Sequence, residues 1–129
     1  MITRDVMTRE VITVGPALTV KELAKVLVKN QISGVPVADK RGKIIGIVSE
    51  ADIVAKKGKM VKNIMTPKVI AVHEEMPVEE IASLMTQHRI SRVPVMRDGK
   101  LAGIVSRADI ISAIAMGKHI ALHTPVYDL

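Results

Sequence analysis

Two stretches of the chain place a serine and an aspartate three residues apart, directly after an apolar run. They span Gly46 to Asp52 and Gly103 to Asp109, and both read Gly-Ile-Val-Ser-x-Ala-Asp. Such a pattern predicts a strand that runs into the first turn of a helix, where unpaired backbone N–H groups and the helix dipole attract anions. Each stretch is therefore either half of a phosphate or ribose site, or an ordinary helix cap of the Ser-x-x-Asp type.

These stretches belong to an internal repeat, which covers most of the chain and determines how it is divided. At a nearly constant offset, four further pairs of segments correspond: 6–8 with 64–66, 11–14 with 69–72, 20–24 with 78–82 and 32–37 with 90–95. The offset changes by one residue at the turn of 39–42, a change that a hairpin tolerates. We therefore predict a first repeat with its lead-in at 1–58, a second repeat at 59–116 and a C-terminal tail at 117–129.

The hydrophobic periodicity of each repeat predicts the order strand, helix, strand, strand, helix. The predicted strands lie at 11–14, 34–38, 43–48, 69–72, 92–96 and 100–105, and the predicted helices at 19–29, 50–56, 77–87 and 107–116. Pro36 predicts an open side of its strand, because proline is tolerated only at an edge or a bulge. Neither repeat has enough core to stand alone, so the predicted fold is α/β (α+β), with two β-α-β-β-α repeats packed sheet to sheet about a pseudo-twofold axis.

The composition restricts the classes of partner. The 129 residues are 48% hydrophobic and include no cysteine, and they begin without a signal peptide and contain no apolar run of membrane-spanning length. We therefore expect a cytoplasmic protein without disulfides. A net charge of +6 makes a nucleic-acid-binding protein the first alternative. That charge is scattered, however, and Tyr127 is the only aromatic residue, so the chain lacks rings on which bases could stack.

No arrangement of residues in the sequence supports catalysis or metal binding. The chain has no Ser-His-Asp or Cys-His arrangement and no glycine-rich phosphate loop. His119 and His123 are four residues apart, but no third ligand accompanies them, and the flanking Gly117 and Pro125 disfavour a helix there. We predict neither enzymatic activity nor a metal site, and a ligand-free dimerisation module stays open as a further alternative.

Three motifs make the chain resemble a tandem pair of CBS (cystathionine beta-synthase) domains, the Bateman module. They are Met65-Thr66-Pro67, the Ile-Ser-Arg-Val-Pro-Val run at 90–95 and the stretch at 103–109, each with a counterpart in the first repeat. The resemblance implies a stand-alone, non-catalytic sensor that binds AMP, ADP or ATP in clefts between the repeats, with S-adenosylmethionine the less favoured ligand. It also implies a flat homodimer of two facing modules, and surplus apolar surface on the predicted helices agrees with this.

The resemblance assigns ligand contacts by position. Both aspartates would accept the two ribose hydroxyls, because a carboxylate takes two donors at once, and the serine of each motif would contact ribose or phosphate. One site would combine Thr13, Ile32 and Ser33 with Ile104, Ser106 and Asp109; the other would combine Ala71, Ile90 and Ser91 with Ile47, Ser49 and Asp52. Without aromatic rings, adenine would lie between the isoleucines. We expect the site that contains Thr13 to bind more tightly, because it has an extra hydroxyl.

Two arginines of the second repeat are candidates for phosphate contacts. Arg92 lies at the entry to a proline-containing strand, where the first repeat has Gly34, and arginine binds phosphate in bidentate fashion. Arg107 falls in the first turn of a predicted helix, where the dipole disfavours a cation unless an anion is nearby. Its counterpart Glu50 would repel phosphate, which is a second reason to expect unequal sites.

Overall fold

Each sequence repeat forms a small β-sheet with two helices in the computed structural model, which describes residues 1–117. The contacts divide the chain into two units. The first-repeat unit is Glu10–Ile70, and the second-repeat unit is Met1–Arg9 together with the chain from Ala71 onward. The predicted α/β repeat architecture is confirmed. The predicted tail, beyond Gly117, lies outside the described residues.

The first-repeat unit contains α1 (Val20–Asn30), β1 (Gly34–Ala38), β2 (Ile44–Ser49), α2 (Glu50–Ala55) and α3 (Val61–Ile64). Strands β1 and β2 form an antiparallel hairpin. The core of this unit consists of Val14 and of apolar side chains from α1, α3 and the hairpin, which are Leu23, Leu27, Val35, Val37, Val48, Val61 and Ile64. Thr19 begins α1 as predicted: its Oγ1 accepts from the Glu22 N–H at 3.1 Å, and the Glu22 carboxylate accepts from the Thr19 N–H at 3.4 Å.

The strand predicted at 11–14 is wrong in extent, because only Val14 pairs. Val14 forms an isolated parallel bridge with Val37, in which its N–H donates to the Pro36 carbonyl at 3.2 Å and its carbonyl accepts from the Ala38 N–H at 2.9 Å. Pro36 has no N–H to donate, so pairing on this side of β1 begins at its carbonyl. The open side predicted for this strand is therefore limited to the part before Pro36.

The second-repeat unit contains β3 (Val72–His73), α4 (Val78–His88), β4 (Arg92–Arg97), β5 (Lys100–Ser106) and α5 (Arg107–Ala115), preceded in the chain by a 3-10 turn at Thr3–Asp5. Its sheet has the order β3-β4-β5, with β3 parallel to β4 and β4 antiparallel to β5. The first strand is again short and displaced from the predicted 69–72. The core is built from Met7, Val72, Val78, Ile81, Met85, Val93, Val95, Val105 and Ile110.

Each repeat begins with a lead-in segment, residues 1–9 in the first repeat and 59–70 in the second. Each lead-in pairs with the sheet of the other repeat. Thr8 exchanges two backbone hydrogen bonds with Ile104 of β5, at 2.9 and 3.0 Å, and Thr66 exchanges two with Ile47 of β2, at 2.8 and 3.0 Å. The compact units and the sequence repeats are therefore two different divisions of the chain, and the repeat boundaries at 1–58 and 59–116 stay a prediction. Residues 1–9 belong with the second repeat and residues 59–70 with the first, because each lead-in adds an edge residue to that sheet.

Close approach of the lead-ins explains the glycine of the repeated motif. A Cβ atom on Gly103 would lie 2.8 Å from the Thr8 carbonyl oxygen, and one on Gly46 would lie 3.1 Å from that of Thr66. A methionine side chain, Met7 or Met65, also lies within 3 Å of the same positions. A side chain at either glycine would therefore push the lead-in away from its strand.

Candidate functional site

The junction between β5 and α5 holds Ser106 and Asp109 in a reciprocal helix cap. The Ser106 Oγ accepts from the Asp109 N–H at 3.2 Å, and Oδ2 of Asp109 accepts from the Ser106 N–H at 2.8 Å. Ser106 has the extended backbone of an N-cap, with φ −107° and ψ 164°. The helix-cap interpretation of this motif is therefore confirmed.

The cap uses only part of the polar capacity of these two side chains. No donor from residues 1–117 reaches Oδ1 of Asp109, and the Ser106 hydroxyl hydrogen meets no acceptor in that part of the chain. Both residues are partly buried. The start of α5 thus presents one open carboxylate oxygen and one hydroxyl donor.

The equivalent junction in the first-repeat unit is occupied differently. Oδ2 of Asp52 accepts from the Ser49 N–H at 2.9 Å and from the Ser49 hydroxyl at 3.2 Å. Oδ1 of Asp52 lies 2.9 Å from the Nζ of Lys56, and this ammonium also donates to the Ile64 carbonyl at 3.1 Å. Both oxygens of Asp52 therefore have partners within its own unit.

The serines that precede the central strands are held against the helix starts through backbone contacts. The Ser33 carbonyl accepts from the Glu50 N–H at 2.8 Å, and the Ser91 carbonyl accepts from the Arg107 N–H at 2.8 Å. In the ladder of the second-repeat unit, Arg92 lies opposite Ser106. The structure thus gathers the polar candidates of each repeat at one strand–helix junction.

The remaining candidates are four isoleucines and the residues Thr13 and Ala71. Ile32 and Ile90 are half-buried and pack against the cores of their own units, whereas Ile47 and Ile104 stand opposite prolines in the hairpins. Thr13 and Ala71 are exposed, and each immediately precedes a buried valine, Val14 or Val72. The assignment of these residues to combined sites drawn from both repeats stays a prediction.

Each unit also has an apolar groove between two of its helices. These are α1 and α2 in the first-repeat unit, and α4 and α5 in the second-repeat unit. The α1–α2 groove, of about 500 Å³, is lined by Ala24, Leu27, Val28, Gln31, Ile32, Ser33, Glu50, Ile53 and Val54. The α4–α5 groove, of about 420 Å³, is lined by Ala82, Met85, Thr86, Arg89, Arg107, Ile110, Ile111 and Ile114. The predicted phosphate ligand Arg107 thus lies in a groove wall. Arg89, which no sequence motif singles out, also lines this groove and ends α4 with a left-handed backbone.

An ion pair that the sequence did not indicate joins the turn after β3 to the end of β4. Buried Glu74 accepts from Nε of Arg97 at 2.7 Å and from a terminal nitrogen at 2.6 Å, in a bidentate arrangement. The hydrogen bonds from Arg97 hold the pKa of the Glu74 carboxyl below its ordinary value, and the same contact raises the pKa of Arg97. The two residues are 23 positions apart, so no local sequence pattern predicts the ion pair.

Residues 1–117 contain no group of three His, Asp or Glu side chains placed to hold a metal ion. His119 and His123 lie outside the described residues. Within the same range, no helix combines the length and the apolar character that crossing a bilayer requires.

Comparison with known proteins connects this architecture to curated relatives. The chain is 37% identical over 111 residues to L-aspartate semialdehyde sulfurtransferase of Methanocaldococcus jannaschii, which covers 83% of this chain and 22% of that protein. Inosine-5'-monophosphate dehydrogenase of the same organism is 38% identical over 110 residues, again with 83% and 22% covered. The chain therefore spans about a fifth of the length of these relatives.

Solved structures give a closer match in extent. The CBS domain pair of protein MJ0100, in complex with 5'-methylthioadenosine and S-adenosyl-L-methionine, superposes with a TM-score of 0.86 at 34% identity, covering 92% of this chain and 98% of that one. CBSX2 in complex with AMP superposes with a TM-score of 0.82 at 29% identity, with the same coverage of 92% and 98%. The CBS domain family model matches residues 3–58 and again residues 61–116. This chain therefore belongs to the CBS domain family, as a tandem pair.

Proposed function

We propose that the chain is a regulatory module that binds an adenosine ligand and has no catalytic activity. The observation that carries this proposal is the open Oδ1 of Asp109 at the partly buried start of α5. A carboxylate that caps a helix with one oxygen keeps the other for a hydroxyl donor, such as a ribose hydroxyl. The ligands of the two related structures, AMP and the pair 5'-methylthioadenosine and S-adenosyl-L-methionine, have an adenosine group in common.

The polar groups of the junction suit the ribose and the phosphate of such a ligand. Asp109 would accept from the ribose, and the Ser106 hydroxyl would donate to ribose or phosphate oxygen. Arg92, in register with Ser106, would supply positive charge toward a phosphate. Because the ribose contact does not depend on phosphate, S-adenosylmethionine is tested on equal terms with AMP, ADP and ATP.

Thermal unfolding with each ligand, followed by calorimetric titration, tests the proposal. A ligand that binds only the folded chain raises the melting temperature in proportion to the logarithm of its concentration above Kd. We expect an increase with at least one of AMP, ATP and S-adenosylmethionine. No change with any of them would refute the proposal. Steeply salt-dependent binding of nucleic acid that free AMP does not affect would favour the nucleic-acid alternative instead.

We also propose that a second copy of the chain covers the two apolar grooves. Val28 and Val54 of the α1–α2 groove are 79% and 88% exposed, and Ile111 of the α4–α5 groove is 60% exposed. Apolar side chains clustered on a surface in this way mark an interaction site. If the protein stays monomeric at all concentrations, the grooves are uncovered and this proposal is refuted.

The charges of the grooves indicate which faces meet. The α4–α5 groove carries Arg89 and Arg107, whereas the α1–α2 groove carries Glu50. Pairing like grooves would place like charges together, and pairing unlike grooves would place opposite charges together. In the proposed dimer, the α4–α5 groove of one copy therefore faces the α1–α2 groove of the partner.

A further inference from the structure

The two repeats differ at the position four residues after the motif aspartate. In the first repeat this position is Lys56, and in the second it is Ala113. Lys56 forms the ion pair with Oδ1 of Asp52 at 2.9 Å, while the corresponding oxygen of Asp109 meets no donor from residues 1–117. The carboxylates that the sequence makes equivalent are therefore not equivalent in the structure.

Lys56 is held in this place by more than one contact. Its ammonium also donates to the Ile64 carbonyl at the end of α3, at 3.1 Å. Lys56 follows the last residue of α2 in an extended backbone conformation, and its N–H donates to the Asp52 carbonyl at 3.0 Å. The side chain of Asp52 is 14% exposed and that of Lys56 is 44% exposed, so the lysine is the more accessible member of the pair.

A ribose hydroxyl competes poorly with an ammonium for the same oxygen. Hydrogen bonds from a charged donor to a carboxylate are stronger than those from a neutral hydroxyl. A diol that binds Asp52 must therefore displace Lys56 or share the carboxylate with it. A diol that binds Asp109 meets no such competitor.

We propose that Lys56 is an intramolecular competitor for the Asp52 carboxylate, and that it lowers the adenosine affinity of the first-repeat junction so that Asp109 fills first. This inference rests on the proposed function, because the ligand is the adenosine group assigned there. Lys56 would then be one reason why the two junctions differ in adenosine affinity, because an ion pair within the first repeat occupies the carboxylate that would accept the ribose hydroxyls.

Neutral adenosine is the appropriate probe, since it has the ribose diol and no phosphate to respond to the charge of a lysine. The variant is Lys56→Gln, which removes the cation but keeps a donor for the Ile64 carbonyl. Lys57→Gln is the matched control, because Lys57 is the exposed neighbour and takes part in none of the ion pairs found in residues 1–117. Amide NMR shifts of Ser49 and Asp52, compared with those of Ser106 and Asp109, report the two junctions separately during titration.

In the wild type, we expect the Ser106 and Asp109 amides to respond at lower adenosine concentration than the Ser49 and Asp52 amides. Lys56→Gln should lower the Kd at the Ser49–Asp52 junction about two- to five-fold, the range that a partly exposed ion pair supports. Lys57→Gln should leave it unchanged, and Lys56→Arg, which restores the cation, should keep the wild-type Kd. If Lys56→Gln does not fold, Lys56→Met serves as the second neutral variant.

The outcomes separate the two proposals. If none of adenosine, AMP, ATP and S-adenosylmethionine binds the wild type or any variant, the proposed function fails. If adenosine binds at Asp109 but Lys56→Gln leaves the other junction unchanged or weaker, the role of Lys56 is overturned while the function stands. Equal affinity at both junctions of the wild type, or an equal gain from Lys57→Gln, also overturns it.

Discussion

Thr8 and Ile104 exchange both of their backbone hydrogen bonds, although they belong to different sequence repeats. The adjacent Gly103 allows this approach, because its missing Cβ would lie 2.8 Å from the Thr8 carbonyl oxygen. The first lead-in thus completes the edge of the second-repeat sheet, and it can do so because the motif has a glycine at this position. The first-repeat sheet uses Thr66 and Gly46 in the same way.

Gly103→Ala should therefore destabilise the protein. The added methyl group meets the Thr8 carbonyl oxygen at 2.8 Å as well as the Met7 side chain. Met7 can adjust its side chain, but the backbone contact is relieved only if the lead-in moves, and overpacking of this kind costs about 1–3 kcal/mol. Urea unfolding measures the loss. Gly15→Ala is the matched control, because a Cβ there meets nothing within 4 Å, and it should be neutral or slightly stabilising. Equal effects of the two substitutions would contradict the role given to Gly103.

Local patterns predicted those features of the fold that local contacts decide. The Thr19–Glu22 capping box, the turn at Asp98–Gly99 and the cap at Ser106 all follow from residues within a few positions of one another. The positive φ of 50° at Asp98 and 76° at Gly99 is what a two-residue hairpin turn requires. In each case both partners of the contact lie within one short stretch of sequence, so a local pattern can predict the contact.

Long-range pairing decided the features that the sequence did not reveal. The β-branched run at 11–14 indicates strand propensity, but whether a ladder forms depends on the partner, and Pro36 limits that partner. The exchange of lead-ins and the Glu74–Arg97 pair likewise join distant segments. At the candidate site, the cap was predictable, and the i,i+4 spacing of Asp52 and Lys56 was visible in the sequence, but its consequence for Oδ1 required the geometry.

The Glu74–Arg97 ion pair should make stability depend on pH in the acid range. The pKa of Glu74 is lower in the folded chain than in the unfolded chain, so the pair stabilises the protein fully above the unfolded-state pKa. That stabilisation is lost as the pH falls through the lower, folded-state pKa. Urea unfolding between pH 7 and pH 3 should show that Glu74→Gln is less stable than the wild type at pH 7, and that the difference shrinks with acidification.

Glu75→Gln is the control for this pH dependence. Glu75 is the exposed neighbour, and its carboxylate is in none of the ion pairs found in residues 1–117. Its substitution should leave the pH profile of stability close to that of the wild type. A Glu74→Gln profile parallel to that of the wild type would show that the ion pair does not contribute.

Val54→Lys should dissociate the proposed dimer, because it adds a cation opposite Arg89 and Arg107 of the partner subunit. Val54 is 88% exposed in the single chain, so the substitution should not affect its folding, but it would bury a charge in an apolar interface. We expect the dimer dissociation constant to rise about tenfold or more in sedimentation equilibrium, which corresponds to about 1.4 kcal/mol. Ala55→Lys adds the same charge on the same helix outside the groove lining and should have a smaller effect.

The pairing of unlike grooves has a separate test. Glu50→Lys should weaken the dimer by opposing Arg89 of the partner, and the combination with Arg89→Glu should restore it. Failure of the double variant to recover, with both single variants folded, would argue against this orientation. A monomer at every concentration would argue against the dimer itself.

Asp109→Asn should abolish most of the adenosine binding while keeping the helix cap. The amide oxygen can still accept from the Ser106 N–H, which Oδ2 now does at 2.8 Å, but the second acceptor is replaced by an NH2 group, which cannot accept from a ribose hydroxyl. Loss of a hydrogen bond to a charged group predicts a Kd for AMP about tenfold or more higher, measured by calorimetry. Glu22→Gln makes the same chemical change in the capping box of α1, and it should leave the Kd unchanged. An unchanged Kd in Asp109→Asn would remove Asp109 from the site and leave it with the cap alone.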